Sequence, residues 1–320
     1  MCYSNLVTRS RLTLADRGTY TSGMTHAVRG FSTLLVIGAL AAGADGQTPS
    51  RGADVRTRDI YVSVVDNRGA PVTGLTAADF AVKEDGTVRE VLDVKPADAP
   101  MQIALLIDDS TAASDATTYL WDGLAAFLER MRGKAEIGLI TVGDRPTVLA
   151  PYTTDTEVLN QRVRRLFPRT NSGAYLLDAI TDASKALAKR EATRPIILAI
   201  TFEGIEHSNQ HHDVVLRELM KSGAALHVIA IGTPSASSED EMRSRGLVLS
   251  EGTVRTGGRR DQVLAVSGIP DKLKQAADEL LNQYVVTYGR PDKLIPPEKI
   301  TVTSSRKGVT VRARTRLTER

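Results

Sequence analysis

Cysteine is all but missing from this chain of 320 residues, and Cys2 is the single one. One thiol closes no internal disulfide, so the fold has to be held by its apolar core. An excess of charge is missing too: 41 basic residues face 38 acidic ones. Leaving out residues 1–46, which hold four Arg and two Asp, brings the balance to 37 against 36. Such a balance offers no electrostatic footprint for a nucleic acid. Long apolar runs are absent, and the longest, Phe31 to Ala42, is about a dozen residues, short for a membrane span. Two catalytic signatures are lacking as well. No Gly-x-Ser-x-Gly elbow surrounds Ser110, and Thr256-Gly257-Gly258-Arg259-Arg260 has no phosphate-loop lysine and serine, so it reads as the turn before a strand.

What is present begins with an export pattern. Residues 24–46 carry Arg29, the apolar core and a small-residue exit at Ala44 to Gly46, the layout of a secretory signal peptide. Residues 1–23 are patternless and read as a mis-annotated leader before Met24. The expected location is secreted or periplasmic, with membrane attachment only if the signal segment is retained. Residues 47–58, with Pro49, Gly52 and three arginines, read as a flexible leader.

From Ile60 the chain reads as three stretches. Residues 59–95 are β-branched and interrupted by turn chemistry at Asp66 to Gly69 and Glu84 to Gly86, which predicts the N-terminal part of a small β module. Residues 101–283 alternate strands with amphipathic helices, which predicts an α/β fold with a mostly parallel, doubly wound sheet. Strands are expected near 102–108, 136–142, 195–201, 225–231 and 261–266, with an antiparallel edge at Thr147 to Ala150. Helices are expected near 117–131, 155–166, 175–190, 210–222 and 271–283, with Asp155 and Asp271 placed to cap or charge helix N-termini. Residues 284–320 return to strands, with Val309, Val311, Ala313 and Leu317 facing a core and Arg312, Arg314 and Arg316 facing water. These C-terminal strands are expected to pair with the module at 59–95.

The most informative stretch is IALLIDDSTAAS, Ile103 to Ser114. Its apolar run suits a strand buried on both faces, and its polar end places Asp108, Asp109, Ser110 and Thr111 where open α/β sheets carry their sites. Together with VVDNRGAPVTGLTAADFAVKEDGTVREV, TVGDRPTVLAPYTTD, SGAYLLDAI, IILAITFEGIEHS and ADELLNQYVVTYG, it resembles the von Willebrand factor type A (VWA) domain, in particular exported bacterial "VWFA-related" proteins. The resemblance implies a metal-ion-dependent adhesion site. There an Asp-x-Ser-x-Ser motif, a threonine and a second aspartate hold Mg²⁺, and a partner's acidic group completes the shell. Mg²⁺ asks for about six oxygens in near-octahedral array. In this sequence Asp108 and Ser110 match the motif, while Ala112 replaces the second serine, Ala174 the threonine and Glu203 the second aspartate. The implied metal residues are therefore Asp108, Ser110 and Glu203 in a degenerate site, with Mg²⁺ at low occupancy.

A second group competes for metal. Glu206 to Asp213, EHSNQHHD, holds three of the five histidines, and His207 and His211 at i, i+4 could share a helical face with His212 beside them. Ser208 stands where zinc hydrolases of the His-Glu-x-x-His type carry their base, which favours a solvated helix start. Arg162, Arg164, Arg165 and Arg169 read as a solvated face, or as a patch for anionic polymers of an envelope or matrix. The sequence thus predicts an exported, non-enzymatic protein-interaction module with an unidentified protein partner and no nucleic acid. Its binding surface is expected on Asp109, Thr111, Ser114, Asn171, Ser172, Tyr175, His207 and His211. The alternatives are a Mg²⁺-dependent adhesin and a secreted zinc metallohydrolase using His207, His211 and His212.

Overall fold

Seven residues, Met101–Ile107, form the strand on which the architecture is built, and alternate side chains serve two cores. Ile103, Leu105 and Ile107 point into one apolar cluster, Ala104 and Leu106 into another. A strand buried on both faces needs a helix layer on each side. The computed structural model describes residues 55–234, 239–291, 295 and 297–316. The leader, the signal segment and Leu317 lie outside them.

In chain order the strands are β1 (Val55–Asp66), β2 (Phe80–Glu84), β3 (Thr87–Arg89), β4 (Val91–Pro96), β5 (Met101–Ile107), β6 (Ala135–Thr141) and β7 (Thr147–Thr153). They continue with β8 (Pro195–Phe202), β9 (Ala225–Ile231), β10 (Arg260–Val263), β11 (Tyr284–Pro291), β12 (Ile300–Ser304) and β13 (Val309–Ala313). The helices are α1 (Thr117–Arg130), α2 (Thr156–Val163), α3 (Leu176–Lys189), α4 (His212–Ser222), α5 (Asp240–Leu247), α6 (Thr253–Thr256) and α7 (Ile269–Leu281).

The central sheet has the order β10-β9-β8-β5-β6-β7, parallel except for the antiparallel edge strand β7. The α/β fold expected from the alternation is the one observed. Helices α1, α2 and α7 cover one face, where Leu124, Phe127, Leu159, Leu273 and Leu280 are buried. Helices α3 and α4 cover the other, through Leu176, Ile180, Leu187, Val215 and Leu219. Asp155 caps α2 by accepting from the amides of Glu157 and Val158. Asp271 sits in the first turn of α7, where it meets the positive end of the helix without capping it. The chain runs from β5 to β6 on one side and returns as β8 on the other, so the order of strands reverses at β5. That reversal opens a crevice beyond the carboxyl ends of β5, β6 and β8.

The outer strands form two antiparallel sheets, β13-β1-β11-β4 and β12-β2-β3, around one core of Ile60, Val62, Val64, Phe80, Val82, Tyr284, Val286, Tyr288 and Ile300. Val62 pairs with Tyr284 on one side and Ala313 on the other, so segments from both ends of the chain interleave.

Two expectations need correction, and one helical stretch is new. Residues 55–58 are not leader but the start of β1, because β11 extends to Pro291 and offers them backbone partners. Arg312 and Arg314 do not face water. Arg312 donates to both carboxylate oxygens of buried Glu279 on α7 at 3.1 Å, and Arg314 donates to the Gly223 carbonyl at 3.0 Å. The strand packs its arginine face on the α/β body, whose buried carboxylate needs a counter-charge. Finally, the helical stretch from Asp240 to Thr256, with a π-helical segment at Val248–Gly252, has no counterpart in the sequence reading. Its glycines, Gly246 and Gly252, and its polar residues conceal any regular apolar stripe.

Candidate functional site

The chain leaves β5 straight into three buried polar residues, Asp108, Asp109 and Ser110. Burying carboxylates requires donors, and both aspartates have them. Asp108 Oδ1 accepts from the Ser110 amide at 2.9 Å. Its Oδ2 accepts from the Phe202 amide at 3.0 Å and the Thr201 hydroxyl at 3.2 Å. Asp108 therefore ties the end of β5 to the end of β8. Asp109 does the same toward β6: Oδ1 accepts from the Gly143 amide at 2.7 Å and Oδ2 from Arg169 Nε at 3.0 Å. Arg169 is thus an ion-pair partner rather than part of a solvated face.

Three loops meet above this floor. Thr111 accepts from the Ser172 amide at 3.0 Å and donates to the Arg169 carbonyl at 3.0 Å, while its own amide donates to Ser172 O at 3.3 Å. The Ser172 hydroxyl also donates to the Arg169 carbonyl. Ala174 forms isolated β-bridges with Gly143 and Glu206, so the loop before α3 lies between those after β6 and β8. The third loop closes on the first at Gly204, where an added Cβ would stand 3.0 Å from Ala112 Cβ. At Gly173 a Cβ would stand 2.3 Å from the His207 ring, so only glycine admits this packing.

Of the residues expected to meet a partner, Thr111, Ser114, Asn171, His207 and His211 are exposed, and Ser172 and Tyr175 are half-buried. Ser114 turns back, donating to the Thr111 carbonyl at 2.6 Å. The Tyr175 ring lies 5.8 Å from that of His207. Asp109 is buried and engaged below them. Ile205, 62% exposed, stands among these loops and was not singled out from the sequence.

The histidines divide differently from the sequence reading. Helix α4 begins at His212, so His207 lies in the preceding loop and shares no helical face with His211. His211, His212 and Asp213 gather instead: His211 Nδ1 is 3.4 Å and His212 Nε2 3.1 Å from the Asp213 carboxylate. Zinc bonds of about 2.0–2.1 Å would span donors at such separations, and this surface trio is the one the described residues offer to a transition metal.

Beneath the third loop lies a residue with no sequence signal, Arg245 of α5. Its side chain is 5% exposed. One Nη donates to Glu203 Oε2 at 3.2 Å, the other to the Thr201 hydroxyl at 3.2 Å and the Phe202 carbonyl at 3.0 Å. Its Nε lies 3.8 Å from Glu206 Oε2. Glu206 is fully enclosed, and its Oε1 accepts from the amides of Leu176, at the start of α3, and Ser208. Burial pushes its carboxyl up to about 7, against the lowering influence of Ser208 and Arg245.

No curated protein matches the chain. Among solved structures, the VWA domain of SpRpn10 is similar at 19% identity, over 54% of this chain and 95% of that one, with a TM-score of 0.43. A von Willebrand factor type A protein from Catenulispora acidiphila is similar at 8% identity over 83% and 74%, with a TM-score of 0.48. The proximal thread matrix protein 1 of the mussel byssus, solved with a zinc-occupied MIDAS motif, is similar at 12% identity over 62% and 49%, with a TM-score of 0.48. Residues 103–203 match the family model of the von Willebrand factor type A domain, from β5 through the end of β8. The part of the α/β body that carries Asp108 and the floor of the crevice is thus similar to the von Willebrand factor type A domain.

Proposed function

We propose that this chain is an exported, non-enzymatic protein-interaction module whose recognition surface is the crest of the three loops at Thr111 to Ser114, Asn171 to Tyr175 and Glu203 to His207. The observation that carries this reading is the inversion of polarity across the site. The carboxylates of Asp108, Asp109, Glu203 and Glu206 face inward onto donors, while Ile205, Ala112, Gly204 and His207 face outward. A rigid backbone-laced crest with an exposed apolar residue suits contact with a protein surface. Export rests on the pattern of residues 24–46. A hydrolytic reading draws no support from the histidines, since His207 is packed on Gly173 and Tyr175, apart from the surface trio at His211 to Asp213.

Site-specific photocrosslinking in the native host tests this reading. A photoreactive residue at position 205 should yield a discrete adduct with another protein, and the same group at exposed Val88 on β3 should not. Equal labelling from both positions, or none from position 205, would remove the crest as the binding surface.

A further inference from the structure

The VWA fold implies a divalent cation, and the residues present can be tested for it. Mg²⁺ requires about six oxygens at 2.0–2.1 Å in near-octahedral array. Ala112 and Ala174 bring no side-chain oxygen. Asp108 already accepts three hydrogen bonds, from Ser110, Phe202 and Thr201. Glu203 is held by Arg245. The residues do not fit the ion, yet they still make a group of buried or nearly buried carboxylates that needs positive charge.

Arg245, enclosed beneath the third loop, carries such a charge. We propose that Arg245 is the resident cation of this crevice, supplying permanently the charge a divalent ion brings elsewhere, with Glu203 as its built-in carboxylate. The guanidinium fork reaches Glu203 and the Phe202 carbonyl directly, and it meets Asp108 through one hydroxyl. Thr201 accepts from Arg245 Nη2 and donates to Asp108 Oδ2, so the three groups form a polarised relay. The fork geometry matters, because a guanidinium places several donors in a plane and holds its proton when enclosed. A second cation among the same carboxylates would meet this fixed charge at close range in a weakly screened interior. The crevice is therefore closed both to Mg²⁺ and to a partner's carboxylate, and recognition is left to the crest above it.

The assignment rests on reading these loops as the functional site, but its test is thermal melting of the full chain and not partner capture. With millimolar Mg²⁺ or Mn²⁺ the wild type should melt where it does in chelator. Zn²⁺ is added only in a His211→Ala background, which removes the surface trio from the comparison. Arg245→Ala should lower the melting temperature by roughly 10 °C, the size expected when a buried charge loses its partner. Adding Glu203→Ala should then recover part of that loss, because it removes the carboxylate left without its partner. Should Arg245→Ala fail to fold, Arg245→Lys, which keeps the charge but not the fork, should melt below wild type and remain ion-independent. A divalent-ion shift in the wild type that is lost in Asp108→Ala would overturn the proposal. So would an Arg245→Ala variant that melts like the wild type, or strict additivity with Glu203→Ala. None of these results touches the crosslinking at position 205, so the two readings fail separately.

Discussion

The amide of Gly143 donates to Asp109 Oδ1 at 2.7 Å, and a Cβ at Gly143 would stand 2.7 Å from that same oxygen and 2.9 Å from the Ser110 amide. The carboxylate that joins β5 to β6 therefore depends on the absence of a side chain. Gly143→Ala is expected to destabilise by about 1–3 kcal/mol, through overpacking and the weakened buried hydrogen bond. The midpoint of urea unfolding measures it. An unchanged midpoint would mean that the loop shifts freely and that the crest is not laced as described.

Asp108→Ala would leave the Phe202 and Ser110 amides and the Thr201 hydroxyl without their acceptor. Each such buried orphan costs about 1–3 kcal/mol, so a total loss of roughly 3 kcal/mol or more is expected with no ion present. Asp108→Asn, which keeps one acceptor oxygen, should lose less. Measured in chelator, equal stability of wild type and Asp108→Ala would contradict the structural role.

Two buried groups should give pH dependences of opposite sign. Glu206 has its carboxyl raised from 4.5 to about 7, so between those values the folded state binds the extra proton and stability falls as pH rises. His227, enclosed on β9 with neither ring nitrogen partnered, is lowered from 6.5 to about 4 by burial. There the unfolded state binds the extra proton, so stability rises with pH across that window. Each term is worth about 3 kcal/mol over its range, and between pH 4.5 and 6.5 they largely cancel. Glu206→Gln should therefore unmask a rise in stability over that interval, and His227→Leu a fall. Urea midpoints at half-unit steps of pH would show it, and parallel profiles for the two variants would refute the assignment.

Arg312 and Glu279 bridge β13 of the outer sheets and α7 of the α/β body, and Arg259 shares the same carboxylate at 3.2 Å. Because Arg259 remains, Arg312→Ala should cost about 2 kcal/mol, less than the loss expected for a carboxylate stripped of every partner. Arg259→Ala with Arg312→Ala should cost more than the two single losses added. Additive losses in a double-mutant cycle would show that the two arginines act independently.

Much of this was legible because the signals are local. The run Ile103 to Ile107 announces a strand buried on two faces by composition alone, and Leu176, Ile180, Ala183 and Leu187 announce α3 by their spacing. Asp155 reads as a cap from its place before an amphipathic segment, and it is one. The pairing of His207 with His211 failed because its argument required a helix through both, and α4 starts only at His212, past the two of them. Arg312 and Arg169 looked solvated because alternation and polarity describe a strand or loop alone, not the carboxylate another element brings to it.

By itself the sequence determined the polar edge after β5, for the character of a strand and the identity of the residues ending it are written in consecutive positions. Only the tertiary structure decided what that edge is paired with. Glu203 and Arg245 are 42 positions apart, and Thr201 and Asp108 are 93 apart. No periodicity links such residues. Their meeting follows from the right-handed crossovers that lay β8 beside β5 and carry α5 back under the loop after β8, and from the cost of leaving any of these charges buried without its partner.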